Sequence, residues 1–135
     1  MLAKEPAKSN TLELAPLTVD DIVTRIRQVS ERLTEDNVSR LLLILASRFD
    51  DFAHVVRSEL WRSELEFMSV GFGVSGSAIR GETKDAPLDV KKKALESIKA
   101  NLLTISERLA KQDWVQVHYG LRDLYSAVHG LELSI

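Results

Sequence analysis

Gly71, Gly73 and Gly76 have the G-x-G-x-x-G spacing that lets backbone N–H groups approach a pyrophosphate closely. A dinucleotide site of this kind also needs a buried strand before the glycines and a helix N-terminus after them. Residues 77–86 are polar and interrupted by Gly81, and no strand-helix-strand pattern surrounds them. The glycines therefore favour a flexible connector over a nucleotide site. A connector of this length is often functional, which leaves open a role in partner binding through Phe72, Val74 and Ile79.

Asp51 and His54 form a second pattern with chemical potential, the carboxylate-x-x-His spacing of di-iron helical bundles. Such bundles use the spacing twice, whereas here neither His118 nor His129 has an acidic residue three positions earlier. The pattern is more typical of a pair on a helix surface. The chain contains no cysteine, which excludes a disulfide framework, a thiolate-bound metal and a cysteine nucleophile. The sequence therefore predicts no metal site and no cofactor.

A row of side chains follows the apolar face of the last predicted helix. His118, Arg122, Tyr125 and His129 fall along one flank of that face, and such a row can bind an anion. Histidine and arginine at the edge of a core more often cover it with their apolar parts. No G-x-S-x-G signature occurs, and the sequence predicts no catalytic residue. A small-ligand-binding protein or an enzyme, with the Gly-rich connector as a lid over these four residues, is the alternative function.

Four predicted helices position these residues. Apolar residues recur at the i, i+3, i+4 and i+7 rhythm of an amphipathic helix from Val19, from Val38 and from Trp114. After Leu88 the apolar stripe is spaced closer to 3.5 residues, which favours lengthwise packing on a neighbouring helix. The predicted fold is all-α, an antiparallel four-helix bundle built from two αα-hairpins joined by a long Gly-rich connector.

Helix boundaries are indicated by caps and breakers. Thr18 with Asp21, and Asp113 with Gln116, have capping-box spacing at the starts of the first and last helices, and Pro87 suits the first turn of the third. The second helix is predicted to run from residue 38 to about residue 67. The chain then divides into a mobile N-terminal arm (1–17) and one helical domain (18–135), which comprises a first hairpin (18–67), the connector (68–87) and a second hairpin (88–130).

The second predicted helix carries apolar residues on two sides. If Val38 marks the centre of its core side, five residues point to the opposite side at 100° per residue. Those residues are Leu43, His54, Trp61, Leu65 and Met68. One core side cannot bury both stripes, so the second stripe predicts a homodimer or a site for another protein, with Trp61 as the anchor.

Charge and hydropathy narrow the functional classes. The net charge of the 135 residues is -2, and the only basic run, at residues 91–93, is diluted by nearby acidic residues, so no nucleic-acid partner is expected. The longest apolar run, residues 41–46, is far short of a membrane span, and a cytoplasmic location is expected. We therefore expect a non-enzymatic helical bundle that acts through protein–protein interaction, as an adaptor, chaperone or immunity-like module, and that forms a homodimer.

Overall fold

A computed structural model of the chain describes residues 18–79 and 87–133, with side chains up to residue 128. Over these ranges the chain forms five helices and no strand, which confirms the predicted all-α class. The helices are α1 (Val19–Arg32), α2 (Val38–Val55), α3 (Glu59–Ala78), α4 (Leu88–Ala110) and α5 (Trp114–Leu133). The predicted arm at 1–17, residues 80–86 of the predicted connector and the side chain of His129 lie outside the described residues.

The helix predicted over residues 38–67 is in fact two helices, α2 and α3. The chain leaves the helical conformation at residues 56–58, and Ser58 caps α3 by accepting a hydrogen bond from the backbone N–H of Trp61 at 3.3 Å. The Arg62 guanidinium donates to the carbonyl oxygen of Val56 at 3.0 Å, which satisfies a backbone acceptor at the break. Of the second apolar stripe, Trp61, Leu65 and Met68 therefore belong to α3 and face the core, whereas Leu43 and His54 lie on α2 outside the core.

The predicted connector is wrong for residues 68–78, because these residues are helical and complete α3. Gly71, Gly73 and Gly76 thus lie inside a helix, where each glycine costs about 1 kcal/mol relative to alanine. Tertiary packing overrides that propensity, since all three glycines lie close to side chains of a neighbouring helix. The described chain has five helices instead of the predicted four.

Two antiparallel helix pairs dominate the packing. The first pair is α2 with α3, and the second is α4 with α5. The helix α1 packs mainly on α4 and only slightly on α2. Ser30 donates to the carbonyl oxygen of Lys99 at 3.3 Å, and Arg27 donates to the hydroxyl of Ser106 at 3.4 Å, so α1 runs antiparallel to α4.

The two pairs meet where α3 packs on α5. Trp61 and Trp114 make an edge-to-face contact with ring centroids 5.0 Å apart, and both lie at the starts of their helices. This contact shows that α3 and α5 run parallel. Around the bundle the neighbouring helices are thus α1, α2, α3, α5 and α4, with α4 returning to α1. The core they share includes the fully buried Phe49, Phe72 and Ile26.

Helix ends follow the predicted caps closely. Thr18 and Asp21 form both hydrogen bonds of a capping box, at 2.7 and 3.2 Å, so the predicted start of the first helix is confirmed. Asp113 accepts from the backbone N–H of Gln116 at 3.3 Å at the start of α5. The end of α4 is closed by Gln112, whose φ of 54° places it in the left-handed region.

Candidate functional site

The C-terminal half of α3 exposes an uncharged surface. No charged residue lies between Glu66 and Arg80 in the sequence. Phe67, Val70 and Val74 are spaced by three and four residues, so they share one side of the helix. Their exposed fractions are 49%, 62% and 49%, although a surface helix usually presents charged or polar residues to water. We call these three residues the α3 face.

Neighbouring helices cover the other sides of α3. Leu65, Met68 and Phe72 are fully buried and point into the core. Gly71 lies against Leu121 of α5, since a Cβ atom at Gly71 would be 3.2 Å from a methyl carbon of that leucine. The remaining long side of α3 lies against α2. The α3 face is therefore the one side of this helix that no described helix covers.

Small residues bring the backbones of α2 and α3 close together. The Ser39 hydroxyl donates to the carbonyl oxygen of Gly76, and the Ser69 hydroxyl donates to that of Ala46, each at 2.7 Å. A Cβ atom at Gly73 would be 3.5 Å from the Cβ of Ala46. Because serine and glycine are short, the two helices approach without a layer of large side chains between them. The three glycines thus serve helix packing, and none of them presents its N–H groups in a phosphate-binding loop.

A shallow groove of about 630 Å³ runs along the outside of α3, between a wall on α2 and a wall on α5. Leu43 provides the α2 wall and Tyr125 provides the α5 wall. The floor comes from α3 and contains two residues of the α3 face together with small side chains. The lining residues are Leu43, Val70, Gly73, Val74, Ser77, Ala78 and Tyr125. No lining residue carries a formal charge at neutral pH, so the groove suits an apolar occupant.

His118 of α5 lies beside Phe67, at one end of the α3 face. Its Nε2–H donates to Glu64 Oε1 at 2.6 Å, since a carboxylate can only accept a hydrogen bond. The ring of Phe67 packs on the imidazole with centroids 4.4 Å apart. Glu64 is mostly buried, with 14% of its side chain exposed. These contacts fix the position of α5 against α3.

One side of α2 borders the groove at Leu43. Arg40, Leu43, Ser47, Asp50 and His54 are spaced by three and four residues, so they share the side of α2 on which Leu43 lines the groove. We call these five residues the α2 edge. Four of them are exposed, and Leu43 is half-buried. The α2 edge has a basic residue near its start, an apolar residue in its middle and an acidic residue near its end.

His54 titrates under the influence of Asp50. The hydrogen bond from its ring nitrogen to the Asp50 carbonyl oxygen, at 2.7 Å, raises the pKa of His54, and the carboxylate charge of Asp50 raises this pKa further. Glu66 and Asp51 add smaller effects in the same direction. The end of the α2 edge is therefore acidic, with one histidine that gains a proton more readily than a free imidazole.

Of the residues predicted for a subunit interface, three are buried in the core and two lie on the surface of α2. Trp61, Leu65 and Met68 are buried by helices of the same chain, so the folded surface does not present them. The premise that one continuous helix carries all five residues is wrong, because residues 56–58 separate Leu43 and His54 on α2 from the other three on α3. Leu43 and His54 do lie on one exposed side of α2. Homodimer formation itself stays a prediction, and it needs a different surface from the one the sequence indicated.

The described residues of the predicted ligand row share one side of α5 but contact different neighbours. Tyr125 lines the groove, whereas His118 is engaged by Glu64 and Phe67. The guanidinium of Arg122 lies over the ring of Tyr119, with its central carbon 4.9 Å from the ring centroid. The structure therefore brings Leu43, from the predicted interface, and Tyr125, from the predicted ligand row, to opposite walls of one groove.

The sequence patterns single out Val74 only as part of a connector, and they do not single out Phe67 or Val70. Their signal was present, since they have helical spacing within a stretch that carries no charge. The glycines in the same stretch indicated a connector and hid that spacing. The α3 face emerges only when the segment is known to be helical.

The part of the chain described by the structure contains no group of three or more histidine and carboxylate side chains that could hold a metal ion. None of its helices combines the length and the apolar character that crossing a bilayer requires. Comparison with protein-family models, with curated proteins and with solved structures finds no significant match to this chain.

Proposed function

We propose that this chain is a non-enzymatic protein-binding module and that its binding surface is the α3 face with the two groove walls, Leu43 and Tyr125. The observation that carries the proposal is the exposure of Phe67, Val70 and Val74 on a helix segment without charge. Contiguous apolar surface of this kind marks interaction sites on soluble proteins. A protein partner can cover an open groove of this length with one helix or with a flat surface.

Burial of the α3 face by a partner would contribute favourably to the free energy of binding. Full burial of a valine or phenylalanine side chain contributes about 1.5–3 kcal/mol. Because Phe67, Val70 and Val74 are each about half exposed, removing the remaining surface from water contributes roughly 1 kcal/mol per residue. Aromatic residues are enriched at interfaces, and Phe67 and Tyr125 place two of them on this surface.

A small polar ligand fits the same region less well. The groove is wide open, whereas small-molecule sites usually enclose most of the ligand surface. His118 and Arg122 already interact with neighbouring side chains of the same chain, and the groove lining is uncharged. The polar groups that would orient an anion are therefore engaged elsewhere.

The proposal is tested by placing a charge in the α3 face. Val70→Asp removes apolar contact area and introduces a carboxylate that a partner would have to desolvate, so binding is expected to be lost. Leu103→Asp is the matched control, because Leu103 is an exposed apolar residue of α4, which does not line the groove. Both substitutions lie on helix surfaces, so circular dichroism and thermal unfolding should show two folded proteins.

Binding is measured by immobilising wild type and both variants and adding labelled wild-type chain or an extract of the cells that produce it. We expect wild type and Leu103→Asp to retain the same protein, which is either the labelled chain or a protein from the extract. We expect Val70→Asp to retain no such protein. Equal retention by all three folded proteins would contradict the proposal, because binding would then use another surface.

A further inference from the structure

Contacts between α2 and α3 set the relative heights of their residues. Gly73 lies against Ala46, and Gly76 lies against Leu42 and Leu43. Since the two helices are antiparallel, these contacts place Leu45 of α2 and Phe72 of α3 at about the same height along the bundle.

Two pairs of exposed residues lie symmetrically about this height. On α3, Val70 and Val74 each lie two residues from Phe72, about 3 Å above and below at 1.5 Å per residue. On α2, Arg40 and Asp50 each lie five residues from Leu45, about 7.5 Å below and above. A basic and an acidic side chain therefore stand at equal distances from the midpoint between Val70 and Val74.

We infer that the α3 face binds a second copy of this chain across a two-fold axis at the height of Phe72, with the two α3 helices antiparallel. The inference rests on the proposed function and names its partner. A two-fold axis perpendicular to the helices brings Val70 onto the partner's Val74, and it brings α2 onto the partner's α2. Arg40 then faces Asp50 of the partner subunit, and the pair occurs twice.

Charge complementarity selects this arrangement over the parallel one. A two-fold axis along the helices would place the α2 edge against α5 of the second copy, and Arg40 would not meet Asp50. In the antiparallel arrangement both pairs join opposite charges at the rim of an apolar centre, which is the usual organisation of a protein interface. Arg40 and Asp50 of the α2 edge thus match their symmetry copies in charge, and Val70 and Val74 of the α3 face match theirs in hydropathy.

The experiment exchanges the charges. Arg40→Asp gives two like-charge contacts between acidic groups in its own dimer, and Asp50→Arg gives two between basic groups. Each variant alone is expected to raise the dimer Kd at least tenfold in analytical ultracentrifugation at low salt. An equimolar mixture of the two variants restores both opposite-charge pairs, so a heterodimer with a Kd near the wild-type value is expected.

The matched control is Arg48→Asp, which makes the same charge change on an exposed position of α2 outside the α2 edge. Its dimer Kd is expected to stay within about twofold of the wild-type value, because the charge is directed away from the axis. Val70→Asp is expected to abolish the dimer.

Three results would overturn the inference, and they separate it from the proposed function. A wild-type chain that stays monomeric overturns the dimer, while capture of another protein by wild type and not by Val70→Asp would keep the proposed function. If Val70→Asp abolishes the dimer but the mixture of Arg40→Asp and Asp50→Arg does not form a heterodimer with a Kd near the wild-type value, only the antiparallel arrangement is overturned. A dimer that persists in Val70→Asp overturns the inference, and equal capture of other proteins by wild type and Val70→Asp would overturn the proposed function as well.

Discussion

Alanine substitution of the helical glycines gives a ranked prediction, because the structure places each glycine at a different distance from its neighbour. Every Gly→Ala change in a helix interior favours the folded state by about 1 kcal/mol through helix propensity. What differs is the space for the added methyl group. The series compares Gly71, Gly73, Gly76 and Gly120.

Gly73→Ala should be the most stable member of the series. Its Cβ would lie 3.5 Å from the Cβ of Ala46, an ordinary van der Waals distance, so the full gain of about 1 kcal/mol is expected. Gly71→Ala should gain less, since its Cβ would lie 3.2 Å from a methyl carbon of Leu121, which can shift by a small side-chain movement.

Gly76→Ala and Gly120→Ala should destabilise the protein. The Cβ at Gly76 would lie 3.1 Å from the Cβ of Leu42, which cannot move without moving α2. The Cβ at Gly120 would lie 2.7 Å from a carbon of the fully buried Ile105, whose branched side chain has one preferred rotamer in a helix. Overpacking costs about 1–3 kcal/mol, so the net loss is about 0–2 kcal/mol after the propensity gain, and it is largest for Gly120.

Urea unfolding followed by tryptophan fluorescence measures the series, because Trp61 and Trp114 are in contact where α3 meets α5. The expected order of unfolding free energies is Gly73→Ala, Gly71→Ala, wild type, Gly76→Ala and Gly120→Ala. If Gly73→Ala and Gly76→Ala behaved alike, the close packing of α2 on α3 would be refuted, since a flexible connector would treat the two positions equally.

Two further predictions concern single positions. Asp50→Asn should lower the pKa of His54 by more than Asp51→Asn does, as measured by NMR titration, because Asp50 makes the larger contribution to raising it above 6.5. The folded-state pKa is raised, so this contact stabilises the protein fully below the unfolded pKa and its contribution is lost as pH rises through the folded pKa. Equal shifts in the two variants would contradict this assignment. Gln112→Gly should raise the unfolding free energy by up to about 1 kcal/mol, because glycine adopts the φ of 54° found there without strain. Lys111→Gly should lower the unfolding free energy, because φ is -88° at that position. Urea unfolding of both variants measures the two changes.

Local signals predicted the helix ends that depend on short-range hydrogen bonds. The capping box of Thr18 with Asp21 and the start of α5 after Asp113 are fixed by side chains within one helical turn. The all-α class follows from apolar spacing that continues through most of the chain. These features need no knowledge of distant contacts, which is why the sequence was sufficient for them.

The break between α2 and α3 had a weaker signal. No glycine or proline lies at residues 56–58, but the core spacing slips from Val56 to Trp61, five residues later. A continuous helix cannot keep both residues on one core side, because five residues rotate the side chain by 500°. If residues 38–67 are taken as one continuous helix, this change of spacing predicts a second apolar side that faces outward. Ser58, a favoured N-cap residue followed by Glu59, would have supported two helices facing one core.

The groove could not be predicted because it depends on contacts between distant residues. Leu43 and Tyr125 are far apart in the sequence, and they become the two walls only when α3 lies between α2 and α5. The glycines that secure this arrangement have the lowest helix propensity of any residue except proline. Their helical state is determined by packing partners that the sequence does not identify.

The residues of α3 that allow close packing on α2 are different from those that form its apolar outer surface. Close approach to α2 requires small residues at Ser69, Gly73 and Gly76, and these residues meet that need on one side of the helix. Nothing in that packing requires Val70 and Val74 to be apolar, since both project from the opposite side into water. Lysine or glutamate at either position would keep the same contacts and would favour the helix by a few tenths of a kcal/mol. The apolar character of the α3 face therefore supports the proposed contact outside the folded chain, and the matching positions of Arg40 and Asp50 favour a second copy as the proposed partner.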